Sequence, residues 1–289
     1  MRRMSRPYIA IWGVVVFFFF LNCHKKNPVS NSVEINYTTD GRPALLLVME
    51  NNNWLGGGII ETGFEMYRDK VLPIFSELFD VPVEDMQNLT LVEIVDIYGE
   101  AWQINEILAI AIPNYENVIV LTDRFARSTL VLDTLAFLCD EGYDIDLMFN
   151  MHGDSESIWF ADGLVDIQEF TQTMQNENIF IRALYQTMCY GSDMIDEWED
   201  IDIITVNGAK ANNSFVIFSP IYFMELWVNG ATFKDAVQTA YEMEIEKLES
   251  YQSTIPISQF LVTSQIKKNS VQKLGGLDKN LLWVNYPII

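Results

Sequence analysis

YDIDLMFNMHG, residues 143–153, decides how this chain folds. Apolar side chains at 145, 147, 148, 149 and 151 crowd a stretch only a strand long, and a glycine ends it. Such a run is the pattern of a parallel strand covered on both faces, and a sheet of that kind needs helices between its strands. The flanking sequence supplies them. STLVLDTLAFLCDEG (128–142) carries apolar residues at helical spacing and closes on Gly142. Before it, ENVIVLTD (116–123) and ALLLVMEN (44–51) read as strands, with helical stretches over 60–80, interrupted by Gly63 and Pro73, and from Leu89 to Ile112.

Downstream, SIWFADGLVDI (157–167) reads as a hairpin turning at Asp162-Gly163. IFIRALYQTMCYG (179–191) and IDIITVNG (201–208) are further strands. SPIYFMELWVNG (219–230) and TFKDAVQTAYEMEIEKLESY (232–251) follow as helices, the second opened by Thr232 as N-cap. Residues 250–289 lack periodicity and are expected to form an edge hairpin or to trail over the surface. The expectation is an α/β fold, with a mainly parallel sheet of about six strands and helices on both faces.

Composition narrows the function. The 289 residues are 49% hydrophobic and 20% charged, the balance of a globular chain. Lys and Arg number 18 against 40 Asp and Glu; without Arg2, Arg3 and Arg6 the basic count is 15 and the net charge −25. That field repels phosphate backbones and excludes nucleic acid as a partner, while attracting basic peptides. MRRMSR followed by YIAIWGVVVFFFFLN has the charge and length of a secretory signal. Residues 1–22 are therefore read as a signal peptide of lipoprotein type, with Cys23 the acylated residue and 23–42 a polar tether; an uncleaved short anchor is the alternative. The protein is expected in a bacterial cell envelope, exported and held to the membrane by its lipid. No CxxC or HxxxH pair exists, so neither a disulfide scaffold nor a nitrogen–sulfur metal site is expected, and no cofactor motif is present.

In an open parallel sheet, ligands bind beyond the carboxyl ends of the strands. Two residues able to do covalent chemistry stand there: His152 after DLMFNM and Cys189 after ALYQTM, each close to a glycine. If those strands are neighbours, an imidazole meets a thiol. An imidazole favours the thiolate and later protonates a leaving amine. Gly153 lets its backbone approach a substrate carbonyl, so its N–H, with that of Cys189, makes a candidate oxyanion hole. Asn150 and Gln186 are candidate orienting residues or ordinary strand-end hydrogen bonders. Cys139 shares a helical face with Leu132 and Leu135 and reads as core. GGG at 56–58 reads as a loop over the site rather than a phosphate loop.

DIDLMFNMHG, ESIWFADGLVDIQEF and IFIRALYQTMCYGSDM together resemble the core of the caspase-like cysteine peptidases, the clan of caspases, legumain, gingipains and clostripain-like enzymes. In that clan a strand ending in His-Gly precedes a hairpin and helix, and a second strand ends in the nucleophilic cysteine. The resemblance implies a caspase-like three-layer sandwich over 43–289. It also implies a cysteine endopeptidase with Cys189 as nucleophile, His152 as general acid/base and Gly153 and Cys189 as oxyanion donors, acting on a peptide or protein substrate. Thr187-Met188 departs from the clan's residues before the cysteine. The acidic body, with Asp154, Asp193 and Asp196 near the site in sequence, favours a pocket for Arg or Lys. A catalytically inactive binding module of the same fold, and a thiol acyltransferase using the same pair, are the competing readings.

Overall fold

The computed structural model describes residues 41–50, 68–69, 72–73, 75–213, 218–252 and 267–283. The signal peptide, Cys23, the tether up to residue 40, the GGG loop and most of the 60–74 stretch lie outside the described residues.

The apolar run at 143–151 becomes a central strand because both of its faces are covered. Strands β1 (Arg42–Glu50), β2 (Asn117–Thr122), β3 (Tyr143–Met151), β6 (Ala183–Gln186), β7 (Thr205–Ala209) and β8 (Gln272–Gly275) make one sheet in the order β2-β1-β3-β6-β7-β8. All pairings are parallel except β7 with β8. A separate antiparallel hairpin, β4 (Ser157–Phe160) with β5 (Gly163–Asp166), lies between β3 and β6 in sequence. Arg42, expected in the tether, starts β1 and pairs with Glu116 at 2.6 Å. Of the C-terminal segment, expected as an edge hairpin or a surface tail, the described residues add one antiparallel edge strand, β8, on β7.

Residues alternate between two layers. Leu46, Val48, Leu147, Phe149 and Leu184 face the first, where α2 (Ser128–Asp140), α3 (Ile167–Asn176) and α4 (Ile195–Glu199) bury Leu135, Phe170 and Trp198. Leu45, Leu47, Met148, Ala183 and Tyr185 face the second, covered by α1 (Ala101–Ala111), α5 (Ser219–Val228) and α6 (Phe233–Gln252) through Ile107, Trp227 and Val237. This is the three-layer α/β sandwich expected. Asp166 caps α3 by accepting from the N–H groups of Gln168 and Glu169, and Gly142 ends α2 at φ 75°.

One ion pair interrupts the second layer. Arg182 donates through Nε to Asp146 Oδ1 at 2.8 Å and through Nη2 to Oδ2 at 2.7 Å. Tyr115 Oη and Trp227 Nε1 donate to the same Oδ2 at 2.7 and 2.9 Å, and the guanidinium lies 5.0 Å from the Trp283 ring. Burial, then the Asp146 charge, hold the Tyr115 hydroxyl well above its ordinary pKa, so it stays a donor.

Candidate active site

The site is set by one register. β3 and β6 pair Asp146 with Ala183, Leu147 with Leu184, Met148 with Tyr185 and Phe149 with Gln186. Beyond the last pair, Thr187 Oγ1 donates to Asn150 Oδ1 at 2.8 Å across 37 positions, the same offset as the ladder. The second-layer face thus carries in turn the pairs 146/183, 148/185 and 150/187, and Cys189 follows His152 by that same 37 positions. The carboxyl ends of the two strands are therefore neighbours, at the sheet edge where parallel folds bind ligands.

Each end is held by a turn that leaves little freedom. After β3, Trp159 N donates to His152 O at 3.1 Å and Asp154 N to Ser157 O at 3.0 Å, enclosing a bridge between Gly153 and Ile158. In such a pair the flanking residues make the bonds, so the Gly153 N–H takes no part in it and points away from β4. A side chain at 153 would lie 3.0 Å from Ser157 O and 3.1 Å from Met188 Sδ, which brings the His-Gly turn against the residue preceding Cys189. His152 is half-buried, its ring centroid 6.1 Å from that of Trp159.

After β6, Tyr190 adopts a left-handed conformation at φ 54° and its N–H donates to Ala211 O at 2.8 Å. Gln186 Nε2 donates to Gly191 O at 3.2 Å and to Asn207 O at 2.7 Å. Asn207 in turn accepts from Gln186 N, donates to Gln186 O, and donates to Gln272 Oε1 at 2.8 Å. A relay from β8 through β7 thereby fixes the turn that presents Cys189. Asn213 Nδ2 adds a bond to Thr187 O at 2.8 Å. Gln186 and Asn150 are strand-end hydrogen bonders rather than partners of the imidazole: Asn150 Nδ2 donates to Gln103 Oε1, on α1.

Gly208, which closes the run IDIITVNG, is a residue that sequence reasoning passed over. A Cβ there would sit 2.2 Å from Gly191 C and 2.3 Å from Ser192 N, both backbone. Glycine inside a strand is the available signal for such a close approach. Gly208→Ala is expected to cost about 1–3 kcal/mol by forcing the Cys189 turn outward. Urea unfolding of the variant checks this, and an unchanged midpoint would contradict the contact.

The acids expected near the site are distributed. Asp154 and Asp193 stand in the turns directly following His152 and Cys189, whereas Asp196 lies in the first turn of α4, which packs on the first layer. Asp154 Oδ1 accepts from Glu156 N at 2.9 Å. Asp193 Oδ2 is shielded from solvent and has no hydrogen-bond partner. Cys139 and Cys189 are not joined in a disulfide. Cys139 behaves as read: its sulfur is 3.3 Å from both Phe180 O and Phe180 N, and burial pushes its thiol up in pKa, away from the reactive form.

Beyond β2, Asp96, Glu100 and Asp123 bring carboxylate oxygens within 4.8 Å of one another, next to a π-helical turn over Val95–Glu100. Oxygen donors suit a hard cation, although three carboxylates fall short of a full calcium shell. Burial, then Asp123 and Glu93, raise the Asp96 carboxyl above 3.8. The folded form therefore holds its proton more tightly than the unfolded chain, and its contribution is lost as pH rises through the raised value. Asp96→Asn is expected to raise the urea midpoint at neutral pH, with the gain closing as pH falls below about 3.8. Equal midpoints across the range would contradict it.

No protein-family model matches the sequence, and no curated protein matches it. Among solved structures, the chain is similar to one described as the complex of Porphyromonas gingivalis RgpB pro- and mature domains. The likeness has a TM-score of 0.45 at 11% sequence identity and covers 82% of this chain. The chain spans 48% of that one.

Proposed function

We propose that this chain is an exported cysteine endopeptidase, tethered through a lipid on Cys23, in which Cys189 is the nucleophile and His152 the general acid/base. The observation that carries the reading is the shared offset of 37 between the β3–β6 ladder and the His152–Cys189 interval. His152 accepts the Cys189 proton, and the thiolate attacks the scissile carbonyl carbon. The oxyanion that forms is met by the N–H groups of Gly153 and Cys189, and the imidazolium passes its proton to the departing amine. Water, deprotonated by the same imidazole, then hydrolyses the thioester.

The substrate is a peptide with a basic residue before the scissile bond. Asp193, four residues after the nucleophile and with one carboxylate oxygen that has no hydrogen-bond partner, is the acid that supports this reading, and the net charge of −25 without residues 1–22 draws such peptides in. Profiling a peptide library with the purified protein beside Cys189→Ala tests it. Cleavage after Arg or Lys that weakens with added salt and is absent from the variant is expected. Cleavage after Asp or Asn overturns the specificity alone. Peptide binding without any cleavage replaces the enzyme by a binding module.

A further inference from the structure

Leu164 is the most exposed of the large apolar side chains among the described residues, at 64% of its full accessible surface. It sits on β5 directly opposite Trp159 on β4, so the two side chains share one face of the hairpin. The other face is spent on the core: Ile158 and Phe160 are buried in the first layer, and Val165 packs against it. Trp159 is half-buried with its Nε1 shielded, whereas Leu164 beside it is open to solvent. They form a short ridge that starts at the His152 ring, 6.1 Å from Trp159, and runs outward by one strand spacing to Leu164.

Resting on the peptidase reading above, we infer that this ridge is the binding surface for the leaving-group side of the substrate, and that it selects an apolar residue at the first position after the scissile bond. The chemistry fixes the side. The group that protonates the departing nitrogen must lie within hydrogen-bond reach of it, so the chain that continues from that nitrogen begins at His152. An extended residue spans about 3.3 Å, which brings the side chain of the first residue from His152 over Trp159 toward Leu164. The acyl half of the substrate is bonded to Cys189 and lies toward the Gly191 turn.

Partitioning of the acyl-enzyme isolates this surface from the specificity of the acyl half. In the absence of competitor, water releases the acid. With an added amino acid amide, the amine lone pair attacks the thioester carbonyl and forms a C–N bond. His152 takes one amine proton, the C–S electron pair returns to Cys189 sulfur, and the peptide amide leaves. Acyl-enzyme is generated from N-acylated aminoacyl thiobenzyl esters covering the twenty side chains, and the ratio of aminolysis to hydrolysis is read for leucinamide and serinamide.

Leucinamide is expected to compete about fivefold better than serinamide, in line with the partial burial of one aliphatic side chain. Leu164→Ser, a change at an exposed position, is expected to bring the two amides together, and Leu164→Met to keep them apart. Equal partitioning in the parent, or a leucinamide preference that survives Leu164→Ser, overturns the inference while the peptidase reading stands. A concentration-dependent dimer that Leu164→Ser dissolves would give the ridge to a second copy and also overturns it. Absence of any Cys189-dependent ester hydrolysis overturns both.

Discussion

Replacing His152 with alanine is expected to slow peptide hydrolysis about 10²–10⁴-fold, the range for loss of a positioned proton carrier. Cys189→Ala is expected to leave only background. His152 is half-buried at a strand end and its carbonyl, not its side chain, closes the hairpin bridge with Trp159, so the His152→Ala chain keeps its fold and its far-UV circular dichroism. A readout that a structural role would not move accompanies the rate. Alkylation of Cys189 by iodoacetamide near neutral pH is expected to slow in His152→Ala, while alkylation of Cys139, held against Phe180, stays slow in both proteins. Hydrolysis within a factor of two of the parent would remove His152 from the mechanism.

Asp146→Ala is expected to be the most destabilising single change in the protein. Asp146 is 4% exposed and Arg182 2% exposed, and the carboxylate takes four donors: two from Arg182, one each from Tyr115 and Trp227. Its removal leaves a guanidinium in an apolar layer without its counter-charge, a loss of about 3–5 kcal/mol. Against a total stability of about 5–15 kcal/mol this is a fifth or more of the whole. Urea unfolding followed by tryptophan fluorescence measures it directly, since Trp227 and Trp283 report on the same layer. Asp146→Leu combined with Arg182→Met is expected to recover most of the loss, because the penalty belongs to the orphaned charge rather than to the missing bond. A double variant no more stable than the single would contradict that account.

The central strands were legible because burial on both faces writes itself into sequence as an unbroken apolar run, as in ALLLVME and DLMFNM. The same property made the candidate pair visible, since polar residues that end such runs stand at the edge where ligands bind. What was not legible lies where tertiary contacts, rather than patterns, make the decision. QKLG becomes β8 although it has no apolar period: it is an edge strand whose backbone bonds to β7 and whose Gln272 holds Asn207. The helical stretch near Leu89–Ile112 gave no sign of its π-turn over Val95–Glu100. The run IDIITVNG enters the sheet only from Thr205, the preceding isoleucines being spent on the layers to either side. Asp146 and Arg182 are charged residues within two apolar runs, and only the register between the strands brings them together.

The relay from Gln272 through Asn207 and Gln186 to Gly191 also sets an order in time. A chain that emerges N-terminus first exposes Asn207 while Gln272, 65 residues later, has yet to appear. At synthesis rates of about 5–20 residues per second that interval is about 3–13 s. Throughout it the turn bearing Cys189 lacks the last link that fixes its shape. A nascent chain in this state carries a thiol but no finished site, and the arrival of the final strand completes the turn.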